Sequence, residues 1–381
     1  MGVAAVQQFL VPMLSVRANI APTAASGIFA LVYLSGPLWL WLYGYYYSIL
    51  REKWSIVLAG CAYTLFGVLI YFTHDYRLAV VAAILWGWGG ETLWATGPAQ
   101  VLNVTDPKRR GSISGLFQSS TYLGQMLGVI LLGWIMTRYG GAGNPPARGH
   151  DAMLLTAIGI SLIGNLLSLF IQVKPKELPP ARLGDAILVL KRTAGRYLVL
   201  LSVANYLGWG LVLTSFTILI VNQHQLDKLS WIILPYYAGR LIVAWIAGHT
   251  SDKVGRERVM LVGFVLGAVS LGAVALFNHS VWVISAAALV LGMQAAMVSV
   301  AMTAAVGDYI KPEERHLVFA GTNAWGYLTA GTTMILSPLL KDLLGGSFTP
   351  SFLLFALFYG GCAAVAANMR ARLRRGAARA T

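Results

Sequence analysis

The chain has 381 residues, of which 57% are hydrophobic and 11% charged, and its formal net charge is +14. Soluble domains carry about 25% charged residues, and a single core stops growing near about 250–300 residues. Composition therefore excludes a soluble globule, a disordered chain and a small disulfide scaffold, and it fits a polytopic membrane protein.

A spanning helix needs about 20 mostly apolar residues. In chain order the candidates are Val3 to Val16, Thr23 to Tyr47, Trp54 to Phe72, Leu78 to Val104, Ser112 to Thr137 and Ala152 to Val173. After a polar interval come Tyr197 to Val221, Leu229 to His249, Val259 to Phe277, Val281 to Val306, Leu317 to Leu340 and Ser351 to Met369. That is twelve spans, the first weakened by Gln7, Gln8 and Pro12. Met1 to Leu10 has no basic region before its apolar stretch, so no cleavable signal peptide is expected. Cys61 and Cys362 lie in apolar runs and read as small buried hydrophobes.

The basic residues fall mainly on one side. Loops after even-numbered spans and the C-terminal tail hold 21 of the 28 Lys and Arg residues, the opposite side holds six, and Arg240 lies inside a span. Positive loops stay cytoplasmic, so both termini are expected inside, in an inner membrane. The charge is thus topogenic, and nucleic acid is not an expected partner. Pro175, Pro179 and Pro180 break the interval from Lys174 to Ala194. Leu183, Ala186, Ile187 and Leu190 then recur at helical spacing, as in a short helix on the inner leaflet. The expected organisation is an N-terminal six-helix bundle at 1–173, a linker at 174–194 and a C-terminal six-helix bundle at 195–381 with an Arg-rich tail.

The halves repeat each other. Gly248-His-Thr-Ser-Asp252-Lys253-Val-Gly255-Arg256-Glu257-Arg258 follows the eighth span, and Gly44 to Trp54 follows the second at a shift of 204 residues. Gly44 matches Gly248 and Trp41 matches Trp245, while Ser48 replaces Asp252. Asp106-Pro-Lys-Arg-Arg110 after the fourth span pairs with Asp308 to Arg315 after the tenth, and Gly90 pairs with Gly292.

On these residues the chain resembles the major facilitator superfamily. The loop signature of that family is matched by Gly248, Asp252, Lys253, Gly255, Arg256 and, loosely, Arg258. The resemblance covers essentially the whole chain. It implies an all-α membrane protein with twelve transmembrane helices in two pseudo-symmetric six-helix bundles around a central cavity. It also implies a monomer that opens alternately to either side. The signature is expected to clamp one end of the molecule. Asp252 suits the N-terminus of a helix, and Arg256 seeks a carboxylate among Asp308, Glu313 and Glu314, with Arg315 in the same gate. Two family motifs depart from pattern: Trp86 stands where the fourth-span arginine is expected, and Gly124 to Val129 lacks the antiporter proline and final glycine. Both point away from a proton-antiporting drug exporter.

No enzyme site is expected. The six histidines share no metal-ligand spacing, no phosphate-binding loop is present, and no cofactor is called for, so transport runs on gradients. Two ionisable residues lie near mid-span, Glu91 and Arg240, one in each half. Such groups cost at least about 2.5–3.5 kcal/mol on insertion scales and face a cavity or a partner. Arg240 reads as an anchor for an anion, since a guanidinium forks onto carboxylate or phosphate, or as one member of a structural pair with Glu91 or a helix carbonyl. Gly239-Arg240 is similar to the Gly-Arg of organic-anion members of the family, though one turn further from the loop. Glu91 reads as a proton site or as an interhelical hydrogen-bonding group. Gln8, Trp88, Trp94, Gln118, Tyr122, Gln125, Asn205, Trp209, Tyr236, Tyr237, Gln294, Asn323, Trp325 and Tyr327 are candidates to line a small-molecule cavity. Gly124, Gly128 and Gly133 are expected to let helices approach closely. The expected function is proton-coupled transport of a small organic anion. The alternative is proton-driven export of amphipathic or cationic compounds.

Overall fold

The computed structural model describes residues 5–18, 20–72, 75–140, 146–172, 184–191, 193–224 and 228–378. Among them are helices and their connections, with no strand. The first half contains α1 (Leu10–Ala18), α2 (Pro22–Leu34), α3 (Gly36–Phe72), α4 (Tyr76–Asn103), α5 (Arg110–Gly140) and α6 (Pro146–Ser168). A short α7 (Asp185–Leu190) leads into α8 (Thr193–Leu211), α9 (Thr217–His224), α10 (Leu229–Val254), α11 (Arg256–Phe277), α12 (Val281–Tyr309), α13 (Arg315–Leu343) and α14 (Thr349–Ala378). Nine stretches among the described residues are long and apolar enough to cross a bilayer, and one of these, Pro22–Phe72, contains more than one helix. Of the other expected spans, α1 is short and α13 is rich in Gly, Thr and Asn.

Helix ends follow local chemistry. Asp75 accepts a hydrogen bond from the Arg77 N–H at 2.8 Å and so caps α4, and Asp106 accepts one from Lys108 before α5, each filling a donor that a helix start leaves open. Pro37 has no N–H to give, and α2 breaks at Ser35 and Gly36 just before it. Helix α8 passes into α9 through a wide π turn at Val212–Phe216.

The most telling backbone feature lies in α3, where two helices meet at Arg51 with φ 57° and ψ −176°. Shifted by the repeat of 204 residues, Arg51 falls on Gly255, which has φ 102° and ψ 149° and separates α10 from α11. Both copies of the duplicated loop therefore turn at the same place through positive φ. In the second copy the residue is glycine. In the first it is an arginine in a region that essentially only glycine occupies comfortably, at a cost of about 1–3 kcal/mol.

The halves meet along two seams. Helix α5 runs against α10, and α2 against α13. On the first seam a Cβ added at Gly111 would meet Asp252 and Arg256, one at Gly115 would meet Ala244, and one at Gly133 would meet Ser230. Contact thus persists from one end of α5 to the other. On the second, Gly331 packs on Leu34 and Ala30, and Tyr47 stacks on His316 with ring centroids 4.6 Å apart. Gly239 lies against the α12 backbone at Leu289, which seats α10 firmly beside Arg240.

Several expectations are corrected. Cys61 is exposed on the outer surface, whereas Cys362 is buried. Gln7 and Gln8, read as weak points of the first span, are buried in the interior. Trp325 belongs to the outward stripe of α13 with Ile335, Leu336 and Leu339, and so is withdrawn from the interior. In α7 the buried face is Ala186, Val189 and Leu190, with Ile187 exposed. Leu190 packs on Gly321, and the Gly184 N–H bonds the Trp41 carbonyl, so α7 is tucked beneath the bundle. Leu183 and most of the remaining linker, 173–183, lie outside the described residues.

Prediction: Arg51→Gly relieves the strained turn and stabilises the protein by about 1 kcal/mol or more, while Gly255→Arg destabilises it by a similar amount. Melting curves of the detergent-purified chain give the two shifts; equal, unchanged midpoints would contradict the argument.

Candidate substrate and coupling site

The basic-loop end of the molecule is held closed on both seams, most extensively by the loop after α10. Asp252, near the C-terminus of α10, accepts hydrogen bonds from the Gly111 N–H at 3.0 Å, the Ser112 N–H at 2.9 Å and the Ser112 hydroxyl at 2.8 Å. It therefore caps a helix of the opposite half, where free N–H groups and the helix dipole favour a negative charge. Arg256 bridges Asp252 at 2.6 Å and Asp308 at 3.1 Å, so of the expected carboxylates Asp308 receives it. Arg110 reaches Asp308 from the first half at 3.3 Å. Arg315 is buried and donates to the Leu102 carbonyl, the Asn103 side chain and the Gly307 carbonyl, tying α13 to the end of α4. Gly248 is needed because a Cβ there would strike Gly111 across the seam. Lys253 is exposed. In the first copy, Ser48 donates only to the Tyr45 carbonyl of its own helix. The gate is thus one-sided, built from the second copy.

Deeper in, Arg240 lies on α10 with 9% of its surface exposed. Its Nη1 donates to Gln125 Oε1 at 3.2 Å, across to α5. Its guanidinium carbon lies 3.9 Å from the Tyr122 ring centroid, 4.8 Å from Trp209 and 5.4 Å from Tyr236. Rings from both halves therefore hold the cation by cation–π attraction. No carboxylate is paired with it among the described residues, and its Nε is buried without a hydrogen-bond partner.

Glu91 lies on α4 at the other side of this region. It is fully buried, and both carboxyl oxygens lack a hydrogen-bond partner. Tyrosines surround it. Tyr46 shares a hydrogen bond with Thr92 at 2.9 Å and Tyr43 one with Thr96 at 3.2 Å, and Tyr327 and Tyr63 approach Gly90. Tyr206 lies within electrostatic range of both Glu91 and Arg240. Its hydroxyl donates to Asn323 Oδ1 at 3.2 Å, which leaves the buried Asn323 Nδ2 without an acceptor. Glu91 and Arg240 do not form an ion pair.

The remaining expected residues divide. Gln8 Nε2 donates to Thr217 at 2.7 Å and its carbonyl accepts from Tyr237 at 3.1 Å, joining the halves. Trp209 donates to Tyr33 at 2.9 Å, and Tyr33 donates to Gln7. Tyr327 stands edge-on to both Tyr33 and Tyr206. Gln118 is buried one turn before Tyr122. Trp94 is partly buried against the core, and Trp88 stands edge-on to Tyr46. Asn205, Gln294 and Ser299 form a separate hydrogen-bonded group inside the second half. Tyr33, Tyr206, Gln7 and Thr217 were not among the sequence candidates, nor were Gly111 and Ser112, which receive the cap. The Tyr43, Tyr46, Tyr47 spacing was the available signal for the ring cluster near Glu91.

A bundle of two helical halves, clamped at one end and carrying unpaired ionisable groups at mid-depth, has the build of a membrane transporter. The chain belongs to the Major Facilitator Superfamily, whose family model matches residues 1–197 and again 198–380. It is 28% identical over 237 residues to the "Probable 4-methylmuconolactone transporter" of Cupriavidus pinatubonensis, covering 56% of this chain and 52% of that protein. It is 32% identical over 117 residues to UNC93-like protein 1 of Arabidopsis thaliana, covering 30% of this chain and 25% of that one. The chain thus aligns with about half the length, or less, of these curated relatives. Among solved structures it is similar in fold to the proton:xylose symporter XylE, with TM-score 0.72, 16% identity and 95% and 90% of the two chains covered. It is also similar to the human organic anion transporter MFSD10, with TM-score 0.70, 13% identity and 94% and 89% covered.

Prediction: Asp252→Ala removes the cross-half cap, worth about 0.5–2 kcal/mol, and opens the basic-loop end. With Cys61 and Cys362 replaced by serine, maleimide labelling of Ser114→Cys, a fully buried position one turn into α5, should rise about two- to thirtyfold. Ser48→Ala should leave labelling unchanged.

Proposed function

We propose that this chain is a secondary transporter that carries a small organic anion across the inner membrane by alternating access and couples it to protons through Glu91. Both termini are cytoplasmic in this reading, and segments 1–173 and 195–381 rock against each other as a monomer. The observation that carries the reading is Arg240: a buried cation that touches aromatic rings and one amide, with no carboxylate paired to it. Burying an ion without a counter-ion costs several kcal/mol, and a ligand anion supplies the missing partner. The names of two similar proteins, a 4-methylmuconolactone transporter and an organic anion transporter, are in keeping with this.

Glu91 supports the coupling. A carboxylate with no hydrogen bond in a ring-lined interior is costly, and protonation removes that cost. The proton is taken up when an open state wets the site, and the closed state forms around the neutral acid. Because Arg240 contacts Tyr122 and Gln125 on α5, binding an anion there alters the same seam that the clamp closes.

A second reading rests on Glu91 alone. An unpartnered carboxyl group among tyrosines also suits an organic cation, and in that case Arg240 is structural and the protein exports cations.

Prediction: in proteoliposomes an inward proton gradient drives flux of a labelled organic carboxylate. Arg240→Ala lowers that flux about thirtyfold or more, as expected when one partner of a buried charge pair is removed. Glu91→Gln retains anion exchange without gradient-driven accumulation. If Arg240→Ala leaves carboxylate flux intact, and Glu91→Gln abolishes efflux of an organic cation, the second reading replaces the first.

A further inference from the structure

The geometry around Arg240 narrows the ligand further, and this step rests on the anion reading above. We infer that the site selects a flat monocarboxylate, one whose carboxylate is conjugated to an aromatic ring or a planar unsaturated system.

The guanidinium donates from Nη1 to Gln125 Oε1, and the Tyr122 side chain is also within hydrogen-bonding reach of it. Nε is buried and bare. A carboxylate therefore docks side-on, on the Nε edge, leaving Gln125 in place. A bidentate carboxylate lies in the guanidinium plane. The guanidinium is flanked by rings: its carbon lies over Tyr122 of the first half at 3.9 Å and over Trp209 and Tyr236 of the second at 4.8 and 5.4 Å. Whatever continues from the carboxylate in its own plane inherits the same ring neighbours. A planar unsaturated body makes stacked or edge-on contacts with them. A puckered saturated ring of similar size has no π face to offer and loses that ring–ring term.

Charge is limited as well. Arg240 is the one basic residue placed in the middle of a span, and the second ionisable group of the region is the acid Glu91. A second carboxylate on the ligand would face tyrosines and an acid and lack a counter-ion, which is costly at such depth. A single additional polar group is accommodated, because the buried Asn323 Nδ2 next to Tyr206 has no acceptor.

Titration of the detergent-purified full-length chain tests this, with binding followed by calorimetry at one fixed pH. The probes are benzoate, cyclohexanecarboxylate, terephthalate and benzamide. Benzoate should bind about three- to tenfold more tightly than cyclohexanecarboxylate, the margin that ring–ring contact supplies, and at least tenfold more tightly than terephthalate or benzamide. Tyr122→Leu should erase the preference for benzoate over cyclohexanecarboxylate, and Tyr122→Phe, which keeps the ring, should retain it. Melting curves of both variants establish that each is folded. Equal affinity for benzoate and cyclohexanecarboxylate, both lost in Arg240→Ala, overturns the planarity inference and leaves the anion reading standing. Benzoate binding that survives Arg240→Ala, or no binding of either carboxylate beside clear binding of an aromatic cation, overturns both.

Discussion

Asp252 at the start of α5 is the contact on which the described arrangement depends. The first N–H groups of a helix have no partner within it, and in a bilayer-spanning protein they cannot turn to water without opening the structure. Here two of them, at Gly111 and Ser112, are satisfied by a carboxylate from the other half of the chain. The bond is strong because it is charge-assisted and aligned with the helix dipole. It is close because Gly111 and Gly248 leave no side chain between the backbones. From that point α5 and α10 remain in register down to Gly133 and Ser230, and Gln125 is carried to Arg240.

The seam therefore connects two different chemistries. At one end the charges are paired: Asp252, Arg256, Asp308 and Arg110 form a network of alternating charge. At the centre they are not. Arg240 is held by rings and one amide, and Glu91 has no hydrogen bond at all. A protein whose function ended at folding would gain by pairing these two or replacing both with apolar residues. Here they stand apart instead, Arg240 among Tyr122, Trp209 and Tyr236 and Glu91 in a region lined by tyrosines.

Much of this was legible in the sequence, for reasons that differ from residue to residue. The spans follow from apolar length, which a bilayer enforces. The gate was implied by the resemblance that Gly248, Asp252, Gly255 and Arg256 carry to a family loop signature. Glu91 and Arg240 were visible because charge is rare at depth. What sequence could not assign was direction around a helix. Trp325 and Tyr327 are two residues apart and both aromatic, yet one faces outward and the other lies between Tyr33 and Tyr206. Cys61 fell on the outward side for the same reason. Long-range partners were equally hidden: nothing near Gln8 in the chain indicates Thr217 or Tyr237, and nothing in the basic stretch ending at Arg110 indicates that the N–H groups of Gly111 and Ser112 donate to a carboxylate of the other half.

The turn shared by Arg51 and Gly255 bears on how such a chain ages after its two halves were copied from one. Ser48 stands where the second copy has Asp252, and Arg51 where it has Gly255, but the main chain bends at the same step. The side chains of the two copies differ while the path of the backbone is shared, even at a position that is uncomfortable for a side chain. Likeness between the halves of a membrane protein can therefore be read in torsion angles as well as in letters, including at an offset position where the two residues differ.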